Sequence, residues 1–301
     1  MSPALSVLSL VLVTLIWGTT FAVVKETVAT VSVPLLLALR FSLASLLLGW
    51  VRPARKTLVP SLVLGLLLFA GFSTQTLGLT LTTASKAAFI TGLSVILTPI
   101  LGALWFRQRI PPRGFVGAAL AVAGLGLLTL GDEAGLNAGD LWVLGTAFFY
   151  ALYIIYLGEV TRQHHPLVLS AMQLWPVTVL CWLWALPELG DVASTKPSAL
   201  LAIAYLAAFA TALSTWLQTL AQRVVPAYAA ALIFALEPVF AALFAYLLLA
   251  ETLSAQGWLG GALVVLAMVA AEFRWRRYRT PEIPPAPLHK GGAREGGGTG
   301  D

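Results

Sequence analysis

Two ionisable residues stand where an apolar helix would ordinarily exclude them. Arg40 falls inside the run Pro34–Val51, and Glu237 inside Tyr228–Leu249. A charge in such a stretch is expensive and generally faces a cavity or a partner. Arg40 has the planar fork that grips a carboxylate through two parallel hydrogen bonds. The structural alternative is a bond to a helix end, or snorkelling toward an interface. Glu237 precedes Pro238, whose ring removes a backbone hydrogen bond and can kink the helix. A carboxylate beside that break is a candidate proton site, or else a structural partner for a backbone donor or for Arg40.

Aromatic and amide side chains supply the rest of a candidate site. Trp17, Phe21, Tyr150 and Tyr153 lie well inside their runs, and they can line a cavity that holds apolar groups by stacking. Gly18 beside Trp17 permits a close backbone approach. Gln75, Gln173 and Gln218 are the best polar candidates among the clusters Ser73–Thr76 and Ser214–Gln218, where hydroxyls serve otherwise as interhelical glue. Lys86 reads as an interfacial anchor. Trp175, Trp182, Trp184 and Trp258 read as packing or interface residues. His164 and His165 share a loop and read as a solvated pair; no metal ligand set is expected. No Gly-x-x-x-x-Gly-Lys-Ser/Thr loop occurs, so this chain by itself is not expected to use ATP. No cofactor is expected.

The elements that must carry these residues follow from composition. The chain is 59% hydrophobic and 10% charged, with mean hydropathy +0.89. Soluble domains carry about a quarter charged residues, so this chain lacks the polar surface to face water. A helix crossing the hydrocarbon core takes about 20 apolar residues. Ten such stretches fit: Leu5–Val24, Pro34–Val51, Leu58–Leu79, Ser85–Phe106, Gly114–Leu130, Leu141–Leu157, Leu167–Leu186, Ala199–Leu220, Tyr228–Leu249 and Gly257–Phe273. They are Leu/Ala-rich and continuous, not alternating, which argues against strands. The single cysteine, Cys181, excludes an internal disulfide.

The basic residues set a direction. With the N-terminus in the cytoplasm, the inner loops hold Arg52, Arg55, Lys56, Arg107, Arg109, Arg113, Arg162 and Arg223, and the inner tail adds Arg274, Arg276, Arg277 and Arg279. The outer loops then hold mostly acids, with Lys25 and Lys196. This is the positive-inside pattern with both termini cytoplasmic, and it explains the high pI without nucleic acid as a partner. The Pro/Gly-rich tail beyond Thr280 reads as disordered.

The chain also repeats itself. Ala87-Ala88-Phe89 through Thr98-Pro99-Ile100 lines up with Pro226-Ala227-Tyr228 through Glu237-Pro238-Val239. Arg113-Gly114-Phe115-Val116-Gly117 matches Gln256-Gly257-Trp258-Leu259-Gly260; Trp17 falls opposite Tyr150, and Arg40 opposite Gln173. Five spans per copy is an odd number, so the second copy must be inverted. Such repeats are a recurrent architecture of secondary transporters, with the substrate site near the midplane where the halves meet. One departure is visible: Pro99 to Gln108 is nine steps, whereas Pro238 to the matching Glu251 is thirteen. The first copy has lost about one helical turn, which predicts a shorter fourth span. Gly117, Gly124, Gly257, Gly260 and Gly261 allow close helix crossing, either within one protomer or across a homodimer face.

In these features the chain resembles the drug/metabolite transporter superfamily, EamA type. The resemblance rests on Trp17-Gly18 with Phe21, Leu39-Arg40-Phe41 with Ala44, Thr83 through Leu93 with Pro99, and Glu237-Pro238-Val239-Phe240-Ala241-Ala242 with Glu251, Gly257 and Gly260. It implies an all-α integral membrane protein of ten transmembrane helices in two inverted five-helix repeats, and usually export of small metabolites, amino acids or drugs. The expected domains are residues 1–131, residues 132–273 and a tail, 274–301. The expected function is a secondary transporter, an exporter of small metabolites such as amino acids working by alternating access across the inner membrane. The alternative is a proton-coupled exporter of drugs or organic cations. The expected partners are the lipid bilayer and a small-molecule substrate. No nucleophile or His/Asp/Glu constellation supports a membrane enzyme.

Overall fold

The computed structural model describes residues 1–129, 137–249 and 254–275, and these fold as helices with no strand among them. The outer-loop acids Asp132 and Glu133, the repeat residue Glu251 and the tail beyond Trp275 lie outside the described residues. The helices are α1 (Pro3–Gly18), α2 (Thr20–Thr27), α3 (Val33–Leu47), α4 (Leu58–Leu81), α5 (Ala84–Gly92), α6 (Ser94–Leu104) and α7 (Pro112–Thr129) in the first half. The second half has α8 (Ala138–Val160), α9 (Pro166–Ala185), α10 (Pro197–Ala207), α11 (Ser214–Gln222), α12 (Ala227–Phe234), α13 (Glu237–Leu249) and α14 (Ala255–Trp275).

Among the described residues, seven helical stretches are long and apolar enough to cross a membrane. Three shorter apolar helices, Val33–Leu47, Pro112–Leu127 and Ala255–Ala267, occupy the second, fifth and tenth positions of the expected series. Start signals are local. Ser2 caps α1 and Ser32 caps α3, each with a proline in the first turn. Asn137 and Asp140 form a reciprocal capping box on α8. Leu8, Leu46, Leu104 and Leu201 point outward and are more than half exposed, the surface a bilayer would cover.

Four spans are interrupted. The first breaks at Thr19, between α1 and α2, and the fourth at Leu93, between α5 and α6. The ninth breaks at Ala235–Leu236, directly before Glu237-Pro238, where the proline cannot donate to the Phe234 carbonyl. In the eighth, residues Ala208–Leu213 form a π-helical segment between α10 and α11, a feature that widens the turn and often marks functional sites. The fourth span is indeed the shorter copy. It ends at Leu104, and Gln108 N–H turns back to the Gly102 carbonyl at 2.9 Å, with Arg107 at φ 52°. Its counterpart α13 continues to Leu249.

Packing between the halves is symmetric. The third span packs on the sixth (α4 on α8), and the eighth on the first (α11 on α1). The fourth packs on the sixth as the ninth does on the first, while α3 pairs with α9 and α7 with α14 across the pseudo-axis. That last pair uses the small residues: a Cβ on Gly124 would lie 2.7 Å from the Gly260 carbonyl oxygen. Gly117, Gly124 and Gly260 therefore serve packing within one protomer.

Ties at each end confirm that successive spans alternate in direction. At the end where the chain begins, Gln108 Nε2 donates to Glu159 (2.6 Å), Thr161 Oγ1 to the Thr219 carbonyl (2.9 Å), and His164 bonds the Val160 and Lys56 carbonyls. At the far end Lys25 Nζ donates to the carbonyls of Leu79 (2.5 Å) and Thr82 (2.9 Å). Lys86 there corrects its expected role. It is not an interfacial anchor but is buried in an ion pair with Asp140, Nζ to Oδ2 2.7 Å, and Thr82 donates to the other carboxylate oxygen at 2.7 Å. The lysine is only 8% exposed, so its charge needs a partner on the spot.

Candidate functional site

A cavity of about 60 Å³ lies where the halves meet. A water needs roughly 10–15 Å³ of such a space, so there is room for a few waters or a small solute. Its walls come from seven spans, four of the first half and three of the second. Trp17, Phe21, Arg40, Gln75, Tyr150, Tyr153, Gln218 and Glu237 all line it, joined by Phe72, Thr91, Thr215 and Phe234.

Arg40 is 3% exposed, in the middle of α3. Its Nε donates to Thr211 Oγ1 at 2.7 Å, and its guanidinium lies 4.6 Å from the centre of the Phe72 ring. That contact combines one neutral acceptor with a cation–π interaction, both at hand without a carboxylate. Among the described residues, no acid reaches ion-pair distance of Arg40. The acceptor depends on the π segment. Thr211 sits within it and also donates to the Leu206 carbonyl, five residues back, at 2.9 Å. The same segment presents the Ala210 carbonyl to the Trp17 indole N–H at 3.0 Å. One irregular turn of the second half therefore positions two site residues of the first.

Trp17 stands at the end of α1, with its ring 5.2 Å from Phe234. Gly18 makes the crossing possible: a Cβ there would come within 3.1 Å of the Glu237 carbonyl oxygen and 2.9 Å of Phe240 Cβ. Tyr150, the repeat counterpart of Trp17, reaches into the other half in the same manner. Its hydroxyl donates to Gln75 Oε1 at 3.4 Å, and Gln75 Nε2 donates to Thr91 Oγ1 at 3.3 Å. Gly71 on α4 makes room for the Tyr150 ring, since a Cβ there would lie 2.3 Å from Cε1. Phe72 contacts Tyr150 edge-on at 5.7 Å, which links the guanidinium platform to the phenol.

Gln173 is placed differently. It is wholly buried behind the cavity wall, where its Oε1 accepts the Tyr153 hydroxyl at 3.0 Å. It positions Tyr153 and does not face the space. Gln218 lines the cavity and donates to Gln222, which itself donates to the Ile154 carbonyl at 2.8 Å. Glu237 lines the cavity at the head of α13 and forms no ion pair with any described residue. Of the tryptophans set aside for packing, Trp182 donates to Ser42 at 2.7 Å and Trp184 stacks edge-on with Phe69, while Trp175 and Trp258 face outward. Thr211, Phe72 and Thr91 had not been singled out. Helical spacing from Gln75, three residues on along α4, could have pointed to Phe72; a hydroxyl in a π segment leaves no mark in the sequence.

The profile of the EamA-like transporter family matches residues 4–130 and again residues 137–271. The chain belongs to the EamA-like transporter family. An uncharacterized transporter of Archaeoglobus fulgidus is 33% identical over 275 residues, spanning 89% of this chain and 85% of the relative. The fold of a solved crystal structure matches with a TM-score of 0.75 at 22% identity, over 92% of this EamA-like chain and 99% of that one. This member of the family is thus a multi-pass membrane transporter and not an enzyme.

Proposed function

We propose that this EamA-like protein is a secondary carrier that exports small amphiphilic metabolites, amino acids first among them, by alternating access across the inner membrane. The carrying observation is the cavity at the junction of the halves, which combines a buried guanidinium, aromatic walls and amides. Arg40 holds a carboxylate, while Trp17 and Tyr150 stack against the apolar part of the cargo. Tyr150, Gln75 and Gln218 give the polar contacts that fix its orientation. Trp17 and Tyr150 each bond across the junction to the opposite half. A rocking of the halves would therefore carry both rings relative to the cargo. The basic residues at the end where the chain begins favour a cytoplasmic location for that end and for both termini. The repeats, residues 1–131 and 132–273, are the moving bodies.

A second reading draws on Glu237, an acid facing the same cavity without an ion-pair partner. In that reading it carries a proton in exchange for an organic cation. Counterflow in proteoliposomes across amino acids, sugars and organic cations, with and without an imposed pH gradient, separates the two. Saturable amino-acid exchange indifferent to the gradient supports the first. Cation transport driven by the gradient overturns it in favour of the second.

A further inference from the structure

We infer that the cavity recognises a zwitterion with both poles free, and that Glu237 is the residue that selects for the ammonium pole. The inference rests on the transport reading and narrows it to a substrate class. Arg40 comes from the first half and Glu237 from the second, and both line one small cavity. They are not an ion pair. The hydrogen bond that Arg40 makes to a described residue leaves from Nε, so the Nη1/Nη2 edge remains for a bidentate acceptor. Among the described residues, no hydrogen bond or ion pair reaches the Glu237 carboxyl group. Tyr150 lines the same cavity and packs edge-on against Phe72, the ring beside the Arg40 guanidinium.

A guanidinium and a carboxyl group that share one buried cavity without pairing each leave polar capacity uncompensated, which is costly in a low-dielectric interior. A simple anion would answer Arg40 and leave Glu237 facing it. An organic cation would answer Glu237 and leave Arg40. A neutral solute would answer neither. A solute carrying a carboxylate and an ammonium compensates both poles in one binding event, and its side chain then falls against Trp17, Phe21, Phe72 and Phe234.

The test uses the full chain in proteoliposomes with labelled L-leucine and L-phenylalanine in counterflow. Competitors are the matching amides, which lack the carboxylate, and the N-acetyl derivatives, which lack the ammonium. Each derivative should compete roughly 10- to 100-fold more weakly than the parent amino acid, the value of one charged hydrogen bond. In Glu237→Gln the half-saturating amino-acid concentration should rise by a similar factor, and discrimination against the N-acetyl derivative should vanish. Arg40→Lys, which keeps the positive pole, should retain that discrimination. Derivatives that compete as well as the parents, or an unchanged ratio in Glu237→Gln, overturn the inference while transport stands. So does exchange confined to sugars, simple anions or organic cations in the wider panel. If no solute of any class exchanges above empty liposomes, the transport reading itself fails and the inference falls with it.

Discussion

Two glycines of α4, two helical turns apart, face the same neighbour and should answer substitution in opposite ways. At Gly71 a new Cβ would sit 2.3 Å from Tyr150 Cε1 and 2.6 Å from Cδ1, with no backbone atom among its nearest contacts. Restoring the 3.4 Å of ordinary contact asks the ring to retreat by about 1.1 Å. The ring borders the cavity, so it can yield into that space at small cost to stability. Its hydroxyl bond to Gln75, already 3.4 Å long, is then lost and the site is narrowed. At Gly78 the new Cβ would meet the Gly139 carbonyl oxygen at 2.8 Å and the Val143 amide nitrogen at 3.2 Å. Backbone cannot step aside, and overpacking of this kind costs about 1–3 kcal/mol. Gly71→Ala should therefore keep nearly wild-type thermal stability in detergent and lose transport affinity about tenfold, one hydrogen bond's worth or somewhat more. Gly78→Ala should lose stability while the protein that remains folded transports with unchanged affinity. Melting by fluorescence-detected gel filtration, paired with counterflow, reads both. A Gly71→Ala protein that transports like wild type, or a Gly78→Ala protein that melts like wild type, would refute the reasoning.

Trp17→Ala should abolish counterflow while expression and gel-filtration profile stay intact; wild-type transport in that variant removes Trp17 from the site. Thr211→Val keeps shape but withdraws the acceptor from Arg40. It should lower stability by about 1 kcal/mol and weaken transport, measured as a shift in melting and in half-saturating concentration. Asp140→Ala strips the carboxylate from Lys86 and one arm of the capping box from α8. A loss of about 3 kcal/mol or more is expected, checked by melting, and a stable variant would show that the far-end ion pair contributes little.

Much of the site was legible because its residues are anomalies. Arg40 and Glu237 break long apolar runs, and Trp17 and Tyr150 were paired through the repeat before any contact was known. The missing turn after Pro99 likewise foretold the early end of α6. Gln173 misled because its helix is apolar on nearly every side, so spacing alone cannot say which face meets the cavity. Lys86 misled for another reason. Its partner Asp140 lies 54 residues away across the boundary of the halves, and a lysine near a helix end looks like an anchor until that partner is placed. The π segment was invisible, since the run from Ala208 to Leu213 contains neither proline nor glycine.

The far-end pair and the Arg40–Thr211 bond also bear on how the protein is made. When the ribosome has delivered only the first five spans, Lys86 has no Asp140, Arg40 has no Thr211 and the Trp17 indole has no Ala210 carbonyl. Arg40, at the centre of its span, costs that span about 2.5–3.5 kcal/mol at insertion. The partners of these polar groups are therefore supplied only by the trailing half, once it has been made. Biogenesis of this transporter is in that sense an assembly of two incomplete bodies, carried out within a single polypeptide.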